Sequence, residues 1–340
     1  MKAVGFESHG GPEVLKVLDL PMPEPGAGEV VVRVLATSLN RIDTIIRRGY
    51  PGIRISLPHV PGADVVGVIE RVGPNTWLKD FGVGDLVLVN NVWGCGHCRF
   101  CRAGLEDHCP SWTMPGLHVW GGYGEFVKVP AKALVRPPKF FSVAELAALP
   151  LAYSVSWKAL RVSNVREGDW VLVIAGSGGI GTALTILAKA LGARVIAVAA
   201  RGDVLRRLGA DVVVGYDANE LMSVVSEKTE FGVDVAIDVI GDTLSLAIQA
   251  VRPGGTVVTF GVLGNPSIAI DIRRFYLRHG RLVGIHNSSK FYLEELLDFM
   301  VSRGIKPFIT DTVSIKEAPR LHGLMESRGV VGKVVMVHDW

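Results

Sequence analysis

All four cysteines of the chain fall in one short stretch and have the spacing of metal ligands. The stretch is GCGHCRFCRAGLEDHC, residues 94–109, and its cysteines are Cys95, Cys98, Cys101 and Cys109. Four closely spaced thiolates favour a tetrahedral, closed zinc site that holds a loop and leaves no position for a substrate. The alternative is a set of buried or oxidised cysteines, although in a reducing compartment this spacing is more typical of metal binding.

A glycine-rich stretch further along the chain has the pattern of a dinucleotide-binding loop. In VLVIAGSGGIGTAL, residues 171–184, an apolar strand precedes G-x-G-x-x-G and a helical pattern follows it. The glycines allow a tight turn, a close approach of the backbone to a pyrophosphate, and close packing of helix on strand. The alternative is a glycine-rich turn without a ligand. The predicted phosphate-binding loop comprises Gly176, Ser177, Gly178, Gly179, Ile180 and Gly181.

The end of the next strand indicates which dinucleotide is bound. An NAD enzyme usually has Asp or Glu there for the ribose 2′-hydroxyl, whereas this chain has Ala199 and, two residues later, Arg201. A guanidinium can pair with a 2′-phosphate, so the sequence favours NADP(H). Two alternatives remain open: Arg201 is a solvated loop residue, or the nearby Asp203 serves NAD(H).

The elements around these motifs divide the chain into two kinds of structure. Residues 1–125 read as short β-strands and Gly/Pro turns, typical of a barrel or sandwich. From about residue 130 the pattern is helical over 142–161, where Pro150 should interrupt the helix, and then strands and helices alternate. Alternation of this kind predicts an α/β doubly wound parallel sheet.

Charge and hydropathy argue against two classes of partner. The net charge is only +3 and the basic residues are scattered, so we expect no nucleic acid. No apolar run is long enough to cross a bilayer, and the N-terminal residues carry charges where a signal peptide has its apolar core. We therefore expect a cytoplasmic protein. Gln249 is the only glutamine, a scarcity typical of thermophilic proteins.

Several further motifs resemble those of the medium-chain dehydrogenase/reductase family and stand in that family's order. They are PEPGAGEVVVRVLATSLNRID, VPGADVVGVIERVG, GDLVLV, REGDWVLVIAGSGGIG, VRPGGTVVTFG and GKVVMV. The resemblance implies a GroES-like catalytic domain of residues 1–128 and 289–340, and a Rossmann domain of residues 129–288. It also implies a structural zinc lobe at about residues 93–112, and a homodimer or homotetramer formed through the edge of the Rossmann sheet.

The chain departs from the zinc alcohol dehydrogenases of this family where they bind a catalytic zinc. Their ligand positions hold Asn40, the pair Ala63-Asp64, and Leu151 in this sequence. A catalytic zinc would have to be rebuilt from Asp64, His59 or water, and we expect His59 to be a surface loop residue instead. The sequence therefore predicts hydride transfer without a catalytic metal.

The stretch that replaces the zinc ligands resembles the quinone oxidoreductases of the same family. The resemblance of SLNRIDTIIRRGYP implies that Asn40 and Tyr50 lie close to the nicotinamide, and Asp64 completes the candidate catalytic set. The resemblance of GADVVVGY places Tyr216 near the adenosine phosphate. For Tyr50 the alternative is plain packing, as it is for Tyr153, and for Asp43 we favour a structural role at a helix start.

Three functions remain open at this point. The first is an NADPH-dependent reductase of quinones, enones or other activated carbonyls, in which hydrogen-bond donors stabilise the developing oxyanion. The second is a metal-independent alcohol dehydrogenase for bulky cyclic or aromatic alcohols and ketones. The third is a nucleotide-binding protein with little catalytic activity.

Overall fold

The structure is a computed structural model that describes residues 1–340. The strands are β1 (Lys2–Gly5), β2 (Lys16–Asp19), β3 (Glu29–Ser38), β4 (Val65–Val72), β5 (Leu86–Val89), β6 (Phe126–Pro130), β7 (Leu134–Val135), β8 (Trp170–Ile174), β9 (Arg194–Val198), β10 (Val212–Val214), β11 (Val233–Asp238), β12 (Val251–Thr259), β13 (Arg281–Gly284), β14 (Ile309–Ser314) and β15 (Lys333–Val337). The α-helices are α1 (Arg41–Arg48), α2 (Arg99–Arg102), α3 (Val143–Ala147), α4 (Ser154–Val162), α5 (Gly179–Ala190), α6 (Asp203–Arg207), α7 (Ala218–Lys228), α8 (Leu244–Ala250), α9 (Ile272–Leu277), α10 (Lys290–Ser302) and α11 (Ala318–Glu326).

The first compact unit takes both ends of the chain, Met1–Ser154 and Asn287–Trp340. Its main sheet has the order β14-β15-β3-β4-β5-β7, with β6 also paired to β3, and every pairing except β14 with β15 is antiparallel. Strand β15 lies beside β3 and so joins the last part of the chain to the first, as the family resemblance implies. The valines of β3, β4 and β6 form one buried core of this unit.

The second compact unit, Val155–His286, is a parallel six-stranded sheet. Its order β10-β9-β8-β11-β12-β13 is the doubly wound order of a Rossmann fold, so the predicted fold class is confirmed. The central strands are apolar throughout because helices cover both faces, as the run WVLVI of β8 shows. No helix in the chain is both long and apolar enough to traverse a bilayer.

The compact units and the predicted domains divide the chain at different residues. Sequence reasoning places the first boundary at 128/129, whereas the compact units divide at 154/155. The difference arises because β6 and β7 pair with β3 and β5. The hydroxyl of Tyr153, buried in the same unit, accepts a hydrogen bond of 2.7 Å from the Phe308 backbone N–H.

The helix predicted over 142–161 is interrupted where Pro150 stands. Helix α3 ends at Ala147, a π-helical turn covers Leu149–Tyr153, and α4 begins at Ser154. Proline has no backbone N–H and its ring crowds the preceding turn, so the regular hydrogen-bond ladder cannot run through it. Turns of this kind often occur at functional sites, and this one contributes Leu151 to the site described next.

Candidate active site and metal site

A buried cluster of polar groups surrounds Asp64 at the start of β4. Its Oδ2 accepts hydrogen bonds from the Ser38 hydroxyl, from Asn40 Nδ2 at 2.8 Å and from Lys333 Nζ at 3.4 Å. Its Oδ1 accepts one from the backbone N–H of Leu151 at 2.9 Å. Asp64 is fully buried, so these four donors replace the water that a carboxylate would otherwise need.

Strand register brings the members of this cluster together. Ser38 at the end of β3 pairs with Val335 of β15, and two residues beyond the end of β3 Asn40 approaches Lys333, the first residue of β15. On the other side of β3 the antiparallel partner is β4, and Asp64 immediately precedes that strand. Three strand ends therefore supply the hydroxyl, the amide, the ammonium and the carboxylate.

The Asn40 amide is held in one orientation. Lys333 Nζ donates to Asn40 Oδ1 at 2.7 Å, and an ammonium can only donate. Asn40 Nδ2 then donates to Asp64 and to the backbone carbonyl of Ser38 at 3.2 Å, which engages both of its hydrogens. The sequence interpretation of Asn40 as a donor to substrate therefore conflicts with this arrangement, in which Asn40 positions its neighbours.

Tyr50 follows α1 and has a free hydroxyl. Its ring is half-buried against the apolar core of the first unit. Its hydroxyl makes no hydrogen bond within the chain, in contrast to the hydroxyls of Tyr123 and Tyr153. Of the predicted catalytic residues, Tyr50 alone keeps a hydrogen-bond donor that the protein does not use.

Asp43, in the first turn of α1, lies beside this cluster without joining it. It accepts hydrogen bonds from the backbone N–H groups of Asn40 at 2.9 Å and Gly62 at 3.2 Å. The predicted structural role at the helix start agrees with the first of these contacts. Burial raises the pKa of the Asp43 carboxyl to about 7, and the nearby charge of Asp64 acts in the same direction.

Two buried aromatic residues extend the polar contacts beyond Asp43. The Tyr123 hydroxyl faces Asp43, and it lies 3.0 Å from Nε2 of His322 on α11. Burial lowers the pKa of His322 to about 3, with a further contribution from the charge of Arg47. His322 is therefore neutral, and its contact with Tyr123 joins α11 to the segment that contains Tyr123.

The prediction for His59 is wrong. Its side chain is buried, and its Nε2 lies 2.8 Å from the backbone carbonyl of Gly116. The following Val60 and Pro61 are buried as well, whereas Leu57 and Pro58 just before His59 are exposed, so the chain enters the interior at His59. Burial lowers the pKa of His59, which fits a neutral ring in a structural role.

The four cysteines converge on one point, as their spacing predicts. Their sulfur atoms all lie within 4.8 Å of one another. The backbone N–H of Cys98 donates to Cys95 Sγ at 3.4 Å, and that of Cys101 donates to Cys98 Sγ at 3.5 Å. Hydrogen bonds from His97 and Cys98 lower the pKa of Cys95 to about 6, which favours the thiolate, whereas burial raises the pKa of Cys101 to about 12. These four donors fit a tetrahedral zinc ion.

A glycine next to the cysteines is required by their close approach. A Cβ on Gly94 would fall 2.4 Å from Cys101 Sγ and 2.8 Å from Cys109 Cβ. No other residue fits at this position without displacing a candidate ligand. The loop sequence is therefore adapted to bring four sulfurs together.

In the second unit the predicted phosphate-binding loop joins β8 to α5. Gly176 has φ +64, and a Cβ on Gly181 would lie 1.8 Å from the Gly176 carbonyl oxygen. Ser177 and Gly178 form the turn, and Gly179 and Ile180 begin α5. The N–H groups at the start of this helix have no partner within the helix, which suits an anion such as a pyrophosphate.

Two residues are predicted at the adenosine end. Tyr216 lies beside this loop, and Arg201 follows β9. The Tyr216 hydroxyl is 3.2 Å from the position that a Cβ on Gly176 would occupy, and the Tyr216 side chain is 47% exposed. Arg201 is exposed in the loop between β9 and α6, and Ala199 at the end of β9 is buried. Arg201 and Tyr216 are therefore accessible to a ligand that enters from solvent.

Comparison with known proteins decides the family. Residues 26–139 match the family described as the alcohol dehydrogenase GroES-like domain, and residues 179–302 match the zinc-binding dehydrogenases. An alcohol dehydrogenase of Geobacillus stearothermophilus is 33% identical over the full length of both chains. The chain is a medium-chain dehydrogenase/reductase. The predicted family and the fold class of a GroES-like domain with a Rossmann domain are confirmed. The predicted oxidoreductase is confirmed as well, while its preference for NADP(H) stays a prediction.

Other relatives of this medium-chain dehydrogenase/reductase differ in the reaction that their names describe. An acryloyl-coenzyme A reductase of Metallosphaera sedula is 30% identical, with 99% of each chain covered. The crystal structure of an NAD-dependent alcohol dehydrogenase is 36% identical, covers 99% of each chain and superposes with a TM-score of 0.90. A thermostable alcohol dehydrogenase from Pyrobaculum aerophilum has a TM-score of 0.88 at 28% identity.

Sequence reasoning missed Lys333, although a signal was present. The segment GKVVMV has one lysine directly before a run of apolar strand residues. Burying a charge there is unfavourable in free energy unless a partner is close. It also missed the backbone N–H of Leu151, because only the π-helical turn directs that group to Asp64.

The raised pKa of Asp43 predicts a particular dependence of stability on pH. Between about pH 4 and pH 7 the folded chain keeps a proton on Asp43 that the unfolded chain has lost, so the free energy of unfolding falls as pH rises through this window. From pH 5 to pH 8 this amounts to on the order of 2 kcal/mol. In Asp43→Asn this loss is absent, and denaturant unfolding of both proteins at pH 5 and pH 8 measures the difference.

The control is Asp298→Asn, which changes an exposed carboxylate on α10. The difference between the wild type and this control should be the same at both pH values. If the difference between the wild type and Asp43→Asn is equally constant, Asp43 is not the titrating group.

The cysteine cluster predicts that metal and stability are lost together. Cys101→Ser should lower the zinc content from about one per chain and lower Tm by more than about 5 °C, because a structural metal contributes directly to folding. The kcat of the protein that remains folded should change less than about twofold, as a closed site contributes no catalytic group. Elemental analysis, a thermal melt and an assay below the melting transition test this.

His97→Ala, an exposed histidine in the same loop, is the control and should keep its zinc. A large loss of turnover in Cys101→Ser at unchanged Tm would mean that the metal takes part in the reaction.

Proposed function

We propose that this medium-chain dehydrogenase/reductase is an NADPH-dependent reductase that transfers hydride to an activated carbonyl, enone or quinone without a catalytic zinc. The observation that carries the proposal is the cluster around Asp64. Asn40 and Asp64 are bound to each other and to the Lys333 ammonium, so their side chains already serve protein donors, and a cation lies where a metal ligand set would need to be free of one. The acryloyl-coenzyme A reductase among the relatives supports an acceptor with a conjugated carbonyl.

The residues of this chain would act by binding and orientation. When bound, the reduced nicotinamide supplies the hydride. The Tyr50 hydroxyl donates a hydrogen bond to the acceptor oxygen on which negative charge develops, and one such donor contributes about 3 kcal/mol to stabilising the transition state. Asn40 and Asp64 hold the start of α1, the helix that leads to Tyr50. Since polarisation by one neutral donor is modest, simple alcohols and ketones should react poorly.

We assign the cofactor as NADP(H) from the residues at the adenosine end. The phosphate-binding loop of Gly176, Gly178 and Gly181 holds the pyrophosphate, and Arg201 with Tyr216 binds the 2′-phosphate. No carboxylate stands at the end of β9, where Ala199 is found, so a 2′-phosphate meets no repulsion from that position.

The cysteine cluster and one sheet edge support two further assignments. Cys95, Cys98, Cys101 and Cys109 hold one structural zinc per chain, and reduced cysteines fit a cytoplasmic protein. Strand β13 is the last in its sheet, and exposed apolar side chains lie on it and on α9 before it, namely Ile272, Tyr276, Leu277 and Leu282. Unpaired strand edges with apolar neighbours favour association, here a homodimer or homotetramer.

A panel of acceptors tests the proposed reaction. We expect NADPH oxidation with a quinone or a cyclic enone at a kcat/KM at least about 100-fold above that for 2-propanol oxidation with NADP, because only activated acceptors react without a Lewis acid. Faster turnover of a bulky cyclic alcohol than of any quinone or enone would favour the alcohol dehydrogenase alternative. Binding of NADPH without oxidation by any acceptor would favour a nucleotide-binding protein.

Tyr50→Phe in the same assay tests the proposed donor. The kcat should fall about 100-fold or more, while the KM for NADPH stays the same, since only the acceptor oxygen loses a hydrogen bond. Tyr292→Phe, which changes a half-buried tyrosine of α10 outside the proposed site and interface, is the control. An unchanged kcat in Tyr50→Phe would remove the hydroxyl from the mechanism and leave its ring as packing.

Arg201→Ala tests the cofactor assignment. The KM for NADPH should rise about 10- to 100-fold because a hydrogen-bonded charge partner of the 2′-phosphate is lost, while the KM for NADH should not change. Arg207→Ala removes an exposed charge from α6 and serves as the control. Equal effects of Arg201→Ala on NADPH and NADH would show that Arg201 does not read the 2′-phosphate.

A further inference from the structure

Lys333 is a cation enclosed entirely by protein oxygen atoms. Its side chain is 1% exposed, and its Nζ lies 3.1 Å from the Leu39 carbonyl, 2.7 Å from Asn40 Oδ1 and 3.4 Å from Asp64 Oδ2. An ammonium has three hydrogens and no acceptor, so these three oxygens use all of its donors. Lys333 therefore has nothing left to offer a substrate directly.

The enclosure is costly unless it serves a purpose. Burial lowers the pKa of Lys333, and the carboxylates of Asp64 and Asp43 act against that shift. A buried ion pair of this kind seldom stabilises a fold more than apolar residues of similar size would. What such a pair does supply is direction, because every partner must face it with the correct atom.

The side chain that Lys333 orients is the amide of Asn40. Because Lys333 accepts nothing, the Asn40 oxygen must face it and the Asn40 nitrogen must face Asp64. Asn40 is also the residue directly before α1, and its backbone N–H donates to Asp43 in the first turn. The contacts of Lys333 thus extend through Asn40 to the start of α1. Tyr50 follows the other end of that helix.

Lys333 supplies the one cation at this point. Without the ammonium, Asn40 Nδ2 would still face Asp64 and the Ser38 carbonyl, but Asn40 Oδ1 would lose its charged donor. Asp64 would keep Ser38, Asn40 and Leu151 as partners but would lose its only charged one. Removal of Lys333 therefore loosens the amide and leaves a buried carboxylate without a counter-charge.

We propose that Lys333 is a positioning residue of the reductase reaction, acting through Asn40 and the start of α1 on Tyr50 without touching substrate or cofactor. The inference rests on the proposed function for its kinetic part only. Its geometric part, that Lys333 and Asp64 form one coupled unit, stands on the contacts alone and is tested separately.

A stability cycle tests the coupled unit. Lys333→Met and Asp64→Asn each leave one buried charge unpaired and should lower Tm by on the order of 5 °C or more. The double variant should have a Tm no lower than that of the less stable single variant. Lys316→Met removes a lysine whose pair with Asp339 is exposed, and should change Tm by less than about 2 °C. Additive losses in the double variant would overturn the coupled unit.

A kinetic cycle at a temperature where every variant is folded tests the positioning role. Lys333→Met should lower kcat for quinone reduction about 10-fold or more, with the KM for NADPH within about twofold of wild type. Asn40→Ala should cost a similar factor in the wild type and little more in the Lys333→Met background, since both act through one amide. Lys333→Arg, which keeps the charge, should recover part of kcat.

The outcomes that contradict the proposal are separate from those that contradict the reaction. Multiplied losses in Lys333→Met/Asn40→Ala, or an unchanged kcat in Lys333→Met, would overturn the positioning role in an enzyme that still reduces quinones. A rise in the KM for NADPH equal to the fall in kcat would do the same, because it indicates general structural damage. A wild-type chain that reduces no acceptor would overturn the reaction, and the positioning role with it.

Discussion

The buried ion pair between Lys333 and Asp64 is the interaction on which the first unit's site depends. A carboxylate and an ammonium, each about 1% exposed or less, are tolerable in an apolar core only because each finds a counter-charge and enough hydrogen bonds. The residues that meet this requirement come from the ends of β3, β4 and β15 and from the turn at Leu151. The pair orients Asn40 and gives the buried Asp64 carboxylate its counter-charge.

The second unit is governed by a different constraint, the contact between a turn and a helix. Gly181 must lack a side chain because the Gly176 carbonyl is too close, and Gly176 adopts a positive φ in that turn. These local requirements produce a helix start with unpaired N–H groups, which suits an anion.

Sequence reasoning predicts most of what local chemistry determines. Strand–helix alternation, the glycine pattern and the cysteine spacing yield the Rossmann sheet, the loop before α5 and the sulfur cluster, because each depends on residues close in the chain. It fails where distant residues meet. Lys333 and Asn40 are joined through strand pairing, and Leu151 reaches Asp64 through an irregular turn. The wrong prediction for His59 has the same origin, since the contact of its ring nitrogen is with the carbonyl of Gly116, a residue distant in the chain.

The central claim is that the cluster around Asp64 works without a catalytic zinc, and anomalous diffraction at the zinc edge tests it most directly. Crystals of the active protein grown with zinc and NADPH should show one strong anomalous peak per chain, at the centre of Cys95, Cys98, Cys101 and Cys109. No peak should appear near Asp64, and Lys333 should keep its contacts with Asn40 and Asp64. A second peak within about 2.5 Å of an Asp64 oxygen, with Lys333 displaced, would contradict the account.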